Sequence, residues 1–397
     1  MSLPLDGIRV VEMGQLIAGP FAAKILAEFG AEVIKIEPPV TGDPLRKWRL
    51  LHNDTSVWWA AQSRNKQSVT LDLRQAEAQE MVRRELAARA DILVENFRPG
   101  TLEKWGLGWE MLHELNPKLI MLRVSGYGQT GPYRDRPGFG VIGEAMGGLR
   151  HLSGEPGRTP VRVGVSLGDS LSALHGVIGV LLALRHREQN HGSGQQVDVA
   201  LYESVFNMME SLMPEYSVFQ SIRQPAGSSL PGIAPTNAYR CNDGKYALIA
   251  GNGDSIYRRL METIERPDLA ADPELEQNDG RVRHVARIDA AISAWTAERS
   301  LDEVLLALNE ARIPAGKIYD AADIATDPHY LARDMLLQST LDDGTAVTLP
   351  GIVPKLQTTP GQVRSTAPTL GQHTDSVLEA HGVNAQTRAE WRSRGII

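Results

Sequence analysis

The sequence predicts an α/β protein: a large, Rossmann-like domain on a parallel sheet, joined to a smaller α+β domain. Three observations carry this. Short β-branched runs alternate with helical segments through residues 1–222, the pattern of a parallel sheet covered on both faces. A stretch rich in Pro, Gly and Ser, Arg223 to Pro235, then breaks the rhythm. Finally, 397 residues exceed what one ordinary core holds.

Ile8 to Glu12 reads as the first strand, Phe21 to Phe29 as a helix, and Ala31 to Ile36 as the second strand. Pro20 suits the first helical turn, where its missing N–H costs nothing. Gln75 to Arg89 reads as helix, Ile92 to Val94 as strand, Met111 to Leu115 as helix and Leu119 to Val124 as strand. A long helix over Asp169 to Glu188, a strand over Gln196 to Val199 and a helix over Leu201 to Gln220 complete this part. Residues 223–326 form the small domain with its entry linker. Tyr239 to Cys241 and Lys245 to Ala250 flank an Asp243-Gly244 turn, a hairpin signal. Helices are expected over Ile256 to Ile264, Ile288 to Ala297 and Leu301 to Ala311. Residues 327–397 are turn-rich, with Asp342-Asp343-Gly344 and a short helix near Ser376 to Ala380.

Composition narrows the function classes. Net charge is −7 with scattered basic residues, so no basic face is available for nucleic acid. The single cysteine, Cys241, allows no internal disulfide, and no Cys/His spacing suggests a metal site. Asp6, Arg9 and Glu12 interrupt the N-terminal apolar residues, unlike a signal peptide. The apolar stretch Leu171 to Leu184 contains His175 and is too short to span a bilayer. The expectation is a soluble cytoplasmic protein without membrane contact. His186 and His191 are expected to decorate a helix end.

Four loops and one carboxylate are candidates for chemistry. Gly14-Gln15-Leu16-Ile17-Ala18-Gly19-Pro20 fills the first βα turn, where nucleotide-bearing ligands approach backbone amides. Pro20 and Phe21 stand where a P-loop needs Lys and Ser/Thr, and the run is no GxGxxG, which excludes an ATPase or a standard dehydrogenase. A tight turn of small residues reads equally well. Glu95-Asn96-Phe97-Arg98-Pro99-Gly100 follows a strand and suits adenine, ribose or phosphate, or simply ends the strand. Ser63 to Ser68 is a polar, basic loop that fits phosphates or solvent. Gly126-Tyr127-Gly128-Gln129-Thr130-Gly131-Pro132 is a glycine-rich loop able to close over a site, or a generic turn. Asp169, after Gly168, opens the long helix. It is either an N-cap or a nucleophile, and the helix N-terminus is expected to lower its pKa and keep it charged.

Taken in order, these segments resemble the family III coenzyme A transferases (CaiB/BaiF-like), a group that includes formyl-CoA transferase and the carnitine CoA-transferases. The matching runs are Leu5 to Val10, Ala18-Gly19-Pro20, Gly30 to Glu37, Gly42-Asp43, Asn65-Lys66, Val94 to Gly100, Gly126 to Pro132, Gly168-Asp169 and Leu370-Gly371-Gln372-His373-Thr374. The resemblance implies that Asp169 is the nucleophile, shuttling CoA between acids through aspartyl anhydride and thioester intermediates. It implies CoA contacts at Ile17, Ala18, Leu71, Arg74, Asn96, Phe97, Arg98 and Lys104, with Lys104 on a phosphate. Gln15, Trp48 and Phe139 match positions that line the reacting end. CoA and acyl-CoA would be substrates; no metal or permanently bound cofactor is implied. Relatives build the large domain from both chain ends and interlock two subunits, so a homodimer is expected.

The Gly126 to Pro132 loop and the Leu370 to Thr374 ending look most like succinyl-CoA-dependent members. That implies a small dicarboxylic acceptor such as glutarate, malate, citramalate or itaconate, or a sulfinate analogue. Arg46, Arg49 or Arg64 would read the distal carboxylate. Two departures stand out. Ser228-Ser229-Leu230-Pro231-Gly232-Ile233 replaces the glycine run of formyl-CoA transferase, which argues against oxalate. Gly140 stands where the family usually has an acid after the aromatic position, with Glu144 the nearest substitute. The related α-methylacyl-CoA racemases use a histidine beside the aromatic position; Gly138-Phe139-Gly140 has none, which ranks a racemase second. A non-catalytic acyl-CoA binder is the third reading, and Asp169 argues against it.

Overall fold

The computed structural model describes residues 2–189 and 192–397; His191 lies outside the described residues. Two compact units result: one from Met1–Arg150, Arg162–Ser221 and Leu331–Ile397, the other from His151–Val161 and Ile222–Tyr330. The segment His151–Val161 belongs to the second unit, although it falls inside the 1–222 span expected for the large domain.

The first unit is built on six strands: β1 (Arg9–Glu12), β2 (Glu32–Glu37), β3 (Lys66–Thr70), β4 (Ile92–Glu95), β5 (Ile120–Ser125) and β6 (Gln196–Ala200). All neighbours pair in parallel, in the order β3-β2-β1-β4-β5-β6, with Val10 beside both Val33 and Ile92. Alternate side chains serve opposite faces, so a strand buried on both sides needs apolar residues at nearly every position. Val10, Ile92, Val94 and Leu122 face one core with α1 (Ala18–Glu28), while Val11, Leu93 and Met121 face the other with Val82, Leu86 and Leu378.

The apolar helix of this unit, Leu167–Gln189, has 23 residues, and its most apolar 18-residue stretch has a mean hydropathy of 1.7, long and apolar enough to cross a membrane by length and composition. The expectation that the stretch is too short for that does not hold, because the helix extends beyond Leu171 to Leu184 at both ends. One side lies on the sheet: a Cβ on Gly176 would sit 2.9 Å from Leu122, and one on Gly179 would sit 2.6 Å from Val197. Its other side leaves Ile178 and Leu182 exposed, at 53% and 66%.

Two expected helices differ. Gln75 to Arg89 is three successive turns of different winding, Ala76–Glu80, Met81–Leu86 and Ala87–Arg89. Leu201 to Gln220 breaks into Leu201–Phe206 and Leu212–Phe219, with Glu210 at φ +50° between them. Pro214 explains the break: it lacks the N–H an uninterrupted helix would need and instead occupies the first turn of the second piece.

The C-terminal segment runs along the edge strand. His373 N–H donates to Ser68 O at 2.9 Å, Thr70 N–H to Thr374 Oγ1 at 2.9 Å, and Asp72 N–H to Ile396 O at 2.8 Å. This covers β3, whose free edge would otherwise invite another strand. The short helix Thr374–Ala380 is followed by a second, Ala385–Ser393, that the polar sequence did not announce. The Asp343-Gly344 turn joins a hairpin of Leu336–Thr340 with Ala346–Pro350.

The second unit carries a three-stranded antiparallel sheet: β7 (Thr236–Arg240), β8 (Tyr246–Ala250) and β9 (Ala315–Lys317). Asp243-Gly244 makes the turn between β7 and β8, with Gly244 at φ +80°. Helices Asp254–Thr263, Val285–Ala297 and Leu301–Glu310 cover the sheet through Leu260, Ile288, Ile292 and Leu308. Ser300 and Glu303 close a capping box on the last of these.

Candidate active site

In the strand order above, β1 and β4 are neighbours from which the chain departs in opposite directions. Open α/β sheets bind ligands at such a switch point, beyond the carboxyl ends of the strands. A cavity of about 270 Å³ opens there, lined by the loops after β1, β4 and β5, by Leu201 after β6, by Gly138 and Phe139, and by Asp169.

The first two loops clamp each other. Gln15 N–H donates to Asn96 Oδ1 at 2.7 Å, and Asn96 Nδ2 donates back to Gln15 O at 2.8 Å. Leu16 takes φ +64°, and its N–H donates to Asp43 Oδ1 at 3.0 Å. Below lies a layer of buried ions. Lys35 meets Glu12 and Asp43 at 2.8 Å each and donates to Gly14 O at 2.9 Å. Lys66 meets Glu12 at 2.8 Å, and Arg46 meets Glu37 at 2.8 Å. Burial pushes Lys66 down to about 8, with Glu12 opposing. Burial pulls Lys35 down too, but Asp43, Glu12 and Glu37 outweigh it and raise the ammonium above its ordinary range. Glu95, under the second loop, accepts from Phe97 N–H and from Arg123 Nε, both at 2.7 Å, and burial lifts it to about 7 against the pull of Arg123.

The third part of the site is steric. Gly126 and Gly138 let two loops touch, since a Cβ on Gly126 would sit 2.9 Å from Gly138 Cα. A Cβ on Gly140 would lie 2.0 Å from Asp169 Oδ2, so the aspartate occupies the space that any side chain there would fill. With Gly140 there, Asp169 keeps this position; a side chain at 140 would require the carboxylate to turn. Four residues on, along helix Gly140–Met146, Glu144 is buried at 1% exposure. Residues four apart share a helix face, and a Cβ on Gly168 would meet Glu144 Cγ at 3.4 Å.

Asp169 lies third in helix Leu167–Gln189, inside its first turn, so it does not hold the N-cap position. Its carboxyl is pushed up to about 6, first by burial, then by Glu144, with Arg162 opposing. The expected lowering is overturned because the helix dipole is outweighed by the loss of water and a second carboxylate.

Of the residues singled out by sequence, the cavity brings together Gln15, Ala18, Asn96, Phe97, Arg98, Phe139 and Asp169. Phe97 packs edge-on against Trp105 with centroids 5.3 Å apart, and Arg98 donates to Asp135 O at 2.6 Å. Ile17 is buried in the turn before α1, its carbonyl accepting from Phe21 N–H and Gln62 Nε2. Ile17, Leu71, Arg74, Lys104 and Trp48 are not among the lining residues. Leu71 is buried, its N–H donating to Glu37 O; Arg74 is exposed and paired with Asp72; Lys104 is exposed; Trp48 is partly exposed beside Trp58. Arg46 and Arg64 cannot serve as free anion readers: both are buried, paired with Glu37 and Glu28. Arg49 is exposed over Trp58. Sequence reasoning missed Arg136 in the lining and the pair Arg150 and Arg162 beside Glu144.

A model of the family described as CoA-transferase family III matches residues 5–374. The chain belongs to this family. The transferase is 48% identical over 376 residues to succinyl-CoA–D-citramalate CoA-transferase of Chloroflexus aurantiacus, covering 94% of this chain and 93% of the relative. It is 45% identical over 401 residues to the succinyl-CoA–L-malate CoA-transferase alpha subunit of Chloroflexus aurantiacus, covering 100% of this chain and 93% of the relative. A crystal structure of a CAIB/BAIF family protein from Brucella suis superposes with a TM-score of 0.84 at 32% identity, covering 96% of this chain and all of that one. The fold and family read from the ordered motifs therefore stand, and the transferase is an enzyme of CoA transfer.

Proposed function

We propose that this transferase moves CoA from succinyl-CoA to a small dicarboxylic acid, with Asp169 as the covalent nucleophile. The observation that carries the reading is Asp169 itself: a half-buried carboxylate in the switch-point cavity, facing the gap left by Gly140. The names of the relatives support succinyl-CoA as donor and citramalate- or malate-like acids as acceptors.

Asp169 attacks the thioester carbonyl, the C–S bond breaks, and a succinyl-aspartyl anhydride forms with CoA thiolate released. The thiolate attacks the aspartyl carbonyl and succinate leaves, giving an Asp169–CoA thioester. The acceptor carboxylate displaces the thiolate to make a second anhydride. The thiolate then attacks the acceptor carbonyl, freeing Asp169 and the new acyl-CoA. The overall exchange trades one CoA thioester and one carboxylate for another such pair, so the carboxylate shuttle needs no external energy source. CoA would lie across the Gln15–Ala18 and Asn96–Arg98 loops, with Lys104 on a phosphate.

The transferase would work in the cytoplasm as an interlocked homodimer. The apolar side of helix Leu167–Gln189, together with exposed Phe206 and Phe219, supports a second copy as its cover.

The test is a panel of acids offered with succinyl-CoA, followed by hydroxylamine and mass spectrometry. Transfer should favour dicarboxylates, the Asp169 peptide should carry the hydroxamate, and Asp169→Asn should lose transfer by roughly a thousandfold or more. A preference for monocarboxylates, or an unmodified Asp169 peptide, overturns the reading.

A further inference from the structure

The distal carboxylate of a dicarboxylic substrate needs a cation near the reacting carbon, and two of the three arginines expected for it are locked in buried ion pairs. A different pair stands close to Asp169. Arg150 Nε and Arg162 Nε approach the same oxygen of Glu144, at 3.4 and 3.5 Å. These contacts are longer than direct hydrogen bonds, and the other oxygen, Oε1, has no partner. Glu144 packs against Gly168, the residue before Asp169, and Gly168 lies against Gly140. The two guanidiniums are therefore gathered beside the nucleophile by one buried carboxylate that satisfies neither fully. Arg162 keeps 45% of its side chain exposed, whereas Arg150 keeps 23%. Electrostatically, Arg162 is felt at Asp169, where it favours the ionised carboxylate.

We infer that Arg162, tethered by Glu144 together with Arg150, is the cation that reads the far carboxylate of the acyl group during transfer. The inference rests on the succinyl-CoA reading above. Charge balance explains why the cluster suits that role. With Asp169 free, two arginines face two carboxylates. Once Asp169 is acylated it loses its charge, leaving two guanidiniums against Glu144 alone, a surplus of one positive charge. A single distal carboxylate neutralises it. A monocarboxylyl group would leave the surplus uncompensated in a partly desolvated place, which is how a charged site rejects a substrate lacking its partner.

The experiment compares donors in the full-length enzyme, measuring kcat/KM with succinyl-CoA and with butyryl-CoA, which has the same chain length without the second carboxylate. Wild type should favour succinyl-CoA. Arg162→Gln should reduce that preference roughly tenfold or more, by loss on succinyl-CoA, and Arg162→Lys should restore part of it. Arg136→Gln, at one of the two arginines of the cavity lining, should leave the preference intact. Equal losses on both donors would assign Arg162 a structural role and overturn the inference, as would an unchanged ratio or a lost preference in Arg136→Gln instead. If wild type transfers CoA from neither donor, the proposed function fails first and the inference with it.

Discussion

Glu12, Glu37 and Asp43 each meet a buried cation at 2.8 Å, whereas Glu144, equally buried, reaches its two arginines only at 3.4 and 3.5 Å and keeps Oε1 unpartnered. Both groups lie near the same cavity, one beneath the Gln15 loop and the other beside Asp169. The contrast separates support from chemistry. Directly bonded buried ions hold one geometry, because breaking any pair leaves its partner desolvated and uncompensated. The Glu144 cluster is spaced more widely, and under the proposed mechanism its charges would be rebalanced when Asp169 is acylated. The same water exclusion that the ionic layer answers with cations is answered at Asp169 by a raised pKa, which makes a more basic and more nucleophilic carboxylate.

Breaking the supporting layer should have the largest effect on stability. Lys35→Met strands Asp43 and leaves Glu12 with Lys66 alone, and should cost about 3–5 kcal/mol in urea unfolding. A loss below about 1 kcal/mol would mean that the layer tolerates a missing cation and that the contrast is overdrawn. Crowding the reactive side should act on rate instead. Gly140→Ala places a methyl where Asp169 Oδ2 stands, 2.0 Å from the new Cβ, so the carboxylate must turn away. A strain of about 1–3 kcal/mol corresponds to a roughly ten- to hundredfold fall in kcat, with CoA affinity little changed in a binding titration.

The smallest effect sharpens the comparison through pH. On the proposed mechanism Asp169 attacks as the ionised carboxylate, and its pKa is pushed up to about 6, so kcat/KM should fall as pH drops through that value. Part of the elevation comes from Glu144, so Glu144→Gln should move the acid limb to lower pH, by less than about one unit because burial is the larger cause. An acid limb that moves upward instead would mean that Glu144 acts on Asp169 chiefly through the arginines it holds.

How far the sequence could be read follows from what each feature depends on. Strands such as Ile92–Glu95 and Ile120–Ser125 are apolar runs because both faces are covered, and that is visible locally. So is the Asp243-Gly244 hairpin. The ionic layer is not: in Glu32–Glu37 charges alternate with β-branched residues, and nothing in that run shows that Lys35 and Glu37 are buried against Glu12, Asp43 and Arg46 outside the strand. For the same reason Arg46 and Arg64 read as available cations, when their partners Glu37 and Glu28 already hold them. At the site, the loops that line the cavity were legible as breaks after strands, at the carboxyl edge of the sheet. The fit of Asp169 into the hollow of Gly140 was not, because two residues far apart in sequence meet only in the fold. The pKa of Asp169 was misjudged by the same gap, since helix position is written in the sequence and Glu144's proximity is not.

The covering of β3 by the last stretch of chain has a consequence for biosynthesis. The first unit spans Met1–Arg150, Arg162–Ser221 and Leu331–Ile397, so the ribosome delivers the second unit's Ile222–Tyr330 before the first unit has all its parts. Until Ser365 to Ile396 emerges, the hydrogen-bonding edge near Asn65 to Asp72 stays open on the nascent polypeptide. That interval is when a growing chain is most exposed to pairing with its neighbours on a polysome, and when a holdase would have most to protect.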